Sequence, residues 1–231
     1  MSMTLDHETA MFSAQKLRLM QKGNIVILIS LAAILANAIL NLVLAWNNPI
    51  ALVQGGIGTM VVFMIIGVVA MAVGSIMYLV GLYGMGRVRP EYQKAFLIEI
   101  VLLILGIVYN MLGQEGVLAE TVDAIRNLGV LVVLWLVLQG TRCLLDGLEQ
   151  EAVLRRGKRV WKLYVLSELI SVILIFIPVP VEFGTVTITF LAFAVVIAIL
   201  GIVAAIDYIG YLGQAARALE QMVFSVNNEQ A

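Results

Sequence analysis

The sequence predicts an all-α integral membrane protein, a bundle of six transmembrane helices built from three α-hairpins. Three observations predict it. Apolar residues make up 62% of the 231-residue chain and charged residues only 13%, against about 45–50% and about 25% in an ordinary soluble domain. The apolar residues gather in six continuous runs of the length an apolar helix needs to cross hydrocarbon, about 20 residues. Finally, thirteen of the fourteen basic residues fall on one side of the path that those runs define.

The runs are 24–46, 57–84, 95–113, 128–147, 163–180 and 186–212. Backbone groups in lipid must pair within their own segment, so continuous runs of this length are helices. Barrel strands would instead alternate apolar and polar over about 10 residues. The third and fifth runs are the shortest. The six account for the chain as a single polytopic membrane domain, 1–231, with no room for a separate soluble one.

Orientation follows from the lysines and arginines, which concentrate on the cytoplasmic side of a membrane protein. Lys16, Arg18 and Lys22 precede the first run, and Arg87, Arg89 and Lys94 link the second to the third. Arg155, Arg156, Lys158, Arg159 and Lys162 link the fourth to the fifth; Arg142 ends the fourth and Arg217 follows the sixth. The opposite links (47–56, 114–127, 181–185) hold Arg126 alone. Both termini are therefore expected in the cytoplasm of a cell whose plasma membrane the chain crosses. Ala36-Asn37-Ala38 imitates a signal-peptide cleavage site, but the apolar run continues to Trp46. That is longer than a signal core, so the first span is expected to stay uncleaved.

Short outer links pair the spans as hairpins, one with two, three with four and five with six. Ser30, Glu99 and Glu168 recur at intervals of 69 residues. The spacing suits a parallel threefold repeat about an axis along the membrane normal, and equally suits three hairpins of similar size. Helices in lipid associate where small residues let backbones approach. Gly67, Gly74 and Gly81 form one such stripe; Ala32 and Ala36 in span one and Ala194, Ala198, Gly201 and Ala205 in span six offer others.

Ionisable residues inside spans cost roughly 2.5–3.5 kcal/mol each at a span centre, which makes them the first place to look for function. Four stand out: Glu99, Arg142, Glu168 and Asp207. At about 1.5 Å rise per residue, all four lie roughly 8–9 Å inside the cytoplasmic boundary, in one layer. One reading makes them an ion-pair layer that holds the bundle together. The other gives three carboxylates facing one guanidinium an excess charge that a proton or small cation offsets. Asn37, Asn41 and Asn110 extend the polar set outward, as interhelical hydrogen-bonding groups or as a path.

The segment 149–162 is expected to extend a helix beyond the bilayer, with the basic residues at 155–162 meeting anionic headgroups and Trp161 as an interfacial anchor. A prolonged amphipathic end is expected at 215–224. A near-neutral net charge of −1 argues against nucleic acid. The one histidine, His7, lies in the N-terminal tail and the one cysteine, Cys143, inside a span. Neither a phosphate-binding G-x-x-x-x-G-K-[ST] loop nor a G-x-S-x-G elbow is present. No cofactor, metal site or catalytic set is implied.

The sequence thus leaves a small transporter, channel or membrane-complex subunit of unassigned substrate, or a structural or regulatory protein whose charges only stabilise the bundle. Association into a homo- or hetero-oligomer is compatible with either. In gross layout alone, six short-looped spans resemble the substrate-capturing subunits of vitamin importers. The ligand-binding loops of that family have no counterpart in this sequence.

Overall fold

In a computed structural model of the protein, the structure describes residues 6–47, 57–112, 117–146, 148, 150–175 and 185–229. They form six helices: α1 (His7–Asn47), α2 (Ile57–Gly86), α3 (Pro90–Leu112), α4 (Val117–Leu144), α5 (Glu151–Ile175) and α6 (Thr185–Glu229). There is no strand among the described residues. Five of the helices, all but α5, are long and apolar enough to cross a membrane. α5 is the exception because its first half carries Arg155, Arg156, Lys158, Arg159 and Lys162, and its described part ends at Ile175. The remainder of the expected fifth span, 176–180, lies outside the described residues.

α5 begins at Glu151, so its basic first half extends the helix ahead of the apolar run, as expected at 149–162. Three further helices outrun the runs that predict them. α1 has 41 residues and α6 has 45, so each is over 60 Å long at about 1.5 Å per residue, twice a hydrocarbon core of about 30 Å. Hydropathy registers only the continuously apolar part. Their overhanging ends keep a helical period of buried small and apolar residues. Ala10, Ala14, Leu17 and Met20 of α1 are buried, as are Leu212, Ala215, Ala216, Leu219 and Val223 of α6. Across this seam Arg18 donates two hydrogen bonds to the Glu220 carboxylate, Nε at 3.2 Å and Nη2 at 3.0 Å. α4 is the third case. It begins at Val117, so most of the segment expected as an outer link, 114–127, is helical and Arg126 stands on it. Ala119, Glu120 and Ala124 favour a helix as strongly as the apolar residues that follow, which an apolar-run criterion does not register.

Each helix packs against its neighbours in sequence, and α6 closes against α1. The close approach of α1 and α2 depends on glycine. A Cβ on Gly74 would stand 2.7 Å from the Gly23 carbonyl oxygen and 2.8 Å from Ile27 Cγ1. Gly67 and Gly81 meet Ile34 and Met20 on the same seam. The partner face on α1 is therefore Met20, Gly23, Ile27 and Ile34, and Ala32 and Ala36 are exposed. Ser30, at the same seam, is buried and donates its hydroxyl hydrogen bond back to the Val26 carbonyl at 2.7 Å.

Burial is uneven along the bundle. The apolar core cluster runs through Leu17, Leu82, Tyr92, Val137, Val160 and Tyr211, which share the end that carries the basic residues. The opposite part of α2 presents Val61, Phe63, Ile65, Val68 and Val69 outward, as expected of a helix surrounded by lipid. At the basic end the buried Tyr92 hydroxyl meets Thr141, whose own proton goes to the Val137 carbonyl at 2.8 Å. Tyr92 is therefore the donor of that pair. Arg89 caps α4, donating from Nη2 to the Cys143 carbonyl at 3.0 Å, one of the acceptors a helix end leaves open.

Candidate functional site: a cavity shared by six helices

Because the helices pack side to side in a closed order, the interior is bounded by all of them. A cavity of about 400 Å³ is lined by Asn24 of α1, Ser75 and Tyr78 of α2, Glu99 of α3, Arg126 of α4, Tyr164 of α5 and Tyr208 of α6, with apolar side chains between. That is within the range of small-molecule sites, about 300–1,000 Å³.

The polar groups divide between two levels. At the basic end, Tyr78 and Tyr208 share a hydrogen bond between their hydroxyls at 3.2 Å, and Tyr164 stands edge-on to Tyr208 with ring centroids 6.1 Å apart. Glu99 faces the cavity beside them. Seven residues further along α3, about 10 Å at the helical rise, is Gly106. Arg126 lies over it: a Cβ on Gly106 would be 3.9 Å from both Cζ and Nη1 of the guanidinium. Glu99 and Arg126 thus face one space from different depths, and they form no ion pair.

Asp207 has a different environment, although it is next to Tyr208. Its side chain is 10% exposed and accepts from Arg159 and from Arg156, the latter at 3.4 Å. Gly210, one turn on, makes the second contact feasible, because the Arg156 guanidinium occupies the space a Cβ would fill. The Asp207 carboxylate in turn holds the exposed Arg159 guanidinium above its ordinary pKa, chiefly through their hydrogen bond and then through charge.

The expected polar layer is therefore divided in the structure. Glu99 lines the cavity, and Asp207 is neutralised by two arginines of α5. Glu168 is half-buried one turn beyond Tyr164. Arg142 is exposed and lines a different cleft with Lys158. Asn37 is half-buried and engaged in an interaction of its own; the side chains of Asn41 and Asn110 lie outside the described residues. Among the described residues no group of three or more histidine, cysteine, aspartate or glutamate side chains converges.

Sequence reasoning assigned no role to Arg126, Tyr78, Tyr164 or Tyr208. A signal for Arg126 was present, since it is the one basic residue that departs from the one-sided distribution of the other thirteen. The tyrosines are marked by position, each standing near the basic end of its apolar run. Comparisons with family models, curated proteins and solved structures return no match to this chain.

Proposed function

We propose that the chain is a membrane-embedded solute-binding protein, a small transporter or the membrane subunit of one, whose central cavity receives a small polar solute. The topology that goes with this reading has six crossings as three hairpins, with both ends in the cytoplasm at the cell membrane. The supporting observation is that Glu99 and Arg126 face one cavity, bounded by all six helices, with no ion pair between them. A charge inside a bundle is expensive without a partner, and opposite charges placed apart suit a solute that carries both signs. The tyrosine group beside Glu99 supplies aromatic faces and hydroxyls for an ammonium group, and Arg126 supplies a planar fork for a carboxylate or phosphate. The activity is binding and passage, with no chemical step.

A second reading, charges that only brace the bundle, fits one residue. Asp207 has two arginine partners in place, and we assign it that role.

The test is a thermal-shift series on purified protein with four solute classes: an amine, a carboxylate, a zwitterion and a neutral sugar. A ligand at 100 times its Kd adds about 2.7 kcal/mol of stability. The zwitterion is expected to raise Tm in the wild type, with the rise reduced by Glu99→Gln and by Arg126→Gln. A rise that survives both substitutions, or none with any class, would overturn the proposal.

A further inference from the structure

A second cleft opens between α4 and α5, away from the central cavity. It measures about 420 Å³ and is walled by Trp135, Gln139 and Arg142 of α4 and by Leu154, Lys158 and Trp161 of α5. Its charge is of one sign. Two cations line it and no carboxylate does. Neither Arg142 nor Lys158 belongs to any of the ion pairs among the described residues. The three arginines of α5 differ, since Arg155 pairs with Glu151, and Arg156 and Arg159 with Asp207.

The cleft continues into an apolar track. Above Arg142 and Gln139, the same face of α4 presents Trp135, Val132, Leu128 and Ile125, spaced alternately three and four residues apart. These four side chains are 45–51% exposed. Spacing of this kind keeps residues on one helix face, so the track runs from the cations toward the middle of the apolar span. Cations at the lower end, Trp161 beside them at the level of the headgroups and an apolar track that starts at Trp135 above match the parts of one lipid molecule in their order.

We propose that this cleft is a binding site for a phospholipid with an anionic headgroup. Its phosphate sits between the Arg142 guanidinium and the Lys158 ammonium, with Gln139 and Trp161 beside it, and one acyl chain follows Trp135, Val132 and Leu128. Basic pockets between helices at the basic face of a membrane protein take such headgroups. A free phosphate would use the two cations and leave the apolar track idle. The site does not depend on the solute reading of the central cavity.

The experiment titrates detergent-purified protein with dioleoyl phosphatidylglycerol, dioleoyl phosphatidylcholine and inorganic phosphate, reading Tm and apparent Kd. Phosphatidylglycerol is expected to stabilise the wild type, with the other two giving no comparable shift. Arg142→Gln and Lys158→Gln should each weaken that binding roughly fivefold, the worth of one surface cation near anionic lipid. Arg155→Gln, on the same helix but outside the cleft, should retain it. An equal shift with inorganic phosphate would make the cleft a simple anion site and overturn the proposal. Equal losses in all three variants would overturn it in favour of diffuse surface charge. As a readout in intact protein, phosphatidylglycerol brominated on its acyl chains should quench tryptophan emission more than brominated phosphatidylcholine, and Trp135→Phe should remove the excess. Absence of that excess in the wild type also refutes the site.

Discussion

Adding one methyl group at Gly74 tests how the first two helices are held together. The new Cβ would lie 2.7 Å from the Gly23 carbonyl oxygen, 2.8 Å from Ile27 Cγ1 and 3.1 Å from the Ile27 nitrogen. Ordinary carbon contacts begin near 3.5 Å, so α1 and α2 must separate by several tenths of an ångström or more. Two of those three atoms are backbone and cannot rotate away. Overpacking of this kind costs about 1–3 kcal/mol. Gly201 provides the matched control. A Cβ there would meet only Ser167 Oγ, at 3.6 Å, an ordinary contact, and alanine is about 1 kcal/mol better than glycine inside a helix. Both glycines lie inside helices, so that gain is shared. The two variants should differ by the overpacking cost alone, about 1–3 kcal/mol or roughly 2–12 °C in melting temperature for a chain of this size. The assay is thermal unfolding in a single detergent, followed by intrinsic fluorescence, with Gly74→Leu as the more severe member of the series. If Gly74→Ala melted within about one degree of Gly201→Ala, the seam would not be where the structure has it.

Asp207→Asn should destabilise the protein by about 2 kcal/mol, less than the roughly 3–5 of a fully buried pair because Arg156 and Arg159 are 25% and 63% exposed. Melting temperature checks it, and an unchanged value would remove Asp207 from the bracing role. Glu99→Gln should do the opposite, leaving stability equal or higher because it discharges a carboxylate that has no ion-pair partner; a large loss would make Glu99 a structural residue. Tyr92→Phe removes a buried donor to Thr141 and should cost about 1 kcal/mol, measured in the same assay. For Arg18 and Glu220, each 31% exposed, a double-mutant cycle should return a coupling of about 0.5–1 kcal/mol. Reporter fusions at Asn48, Gly116 and Glu182 should be active only on the outer side; cytoplasmic activity there would reverse the topology.

The helices were legible in the sequence to the extent that lipid dictates composition. The run 57–84 lies within α2 (Ile57–Gly86), and 186–212 lies within α6. Where water takes over from lipid the apolar criterion ends early. It therefore missed the overhang of α1 and the polar first turns of α4 that carry Arg126, whereas the amphipathic pattern at 215–224 did mark the overhang of α6. The Gly67, Gly74 and Gly81 stripe was readable because periodicity alone puts three glycines on one face. Its partner was not, since an alanine pair and a Gly23–Ile27 face look equally suitable until the helices are packed. The layer of ionisable residues shows the same division. Depth follows from counting residues, whereas the choice of partner depends on rotation about the helix axis. Asp207 meets Arg156 and Arg159 of α5. Arg142, which stands in the last turn of α4 because that helix ends at Leu144 and not at 147, lines a different cleft.

The central claim is that the interior cavity receives a polar solute, and water access tests it most directly. In a Cys143→Ser background, which removes the one native cysteine, single cysteines replace Ser75, Gly106 and Val130, which line the cavity. A fourth replaces Val101, which is 62% exposed on the outer surface of α3. A membrane-impermeant cationic thiol reagent is then applied to inverted and right-side-out vesicles. The account predicts labelling at the three cavity positions from at least one side, protection by the solute that shifts Tm, and no labelling at Val101. Cavity cysteines that stay as unreactive as Val101→Cys from both sides would contradict it, leaving Glu99 as a charge inside a closed bundle.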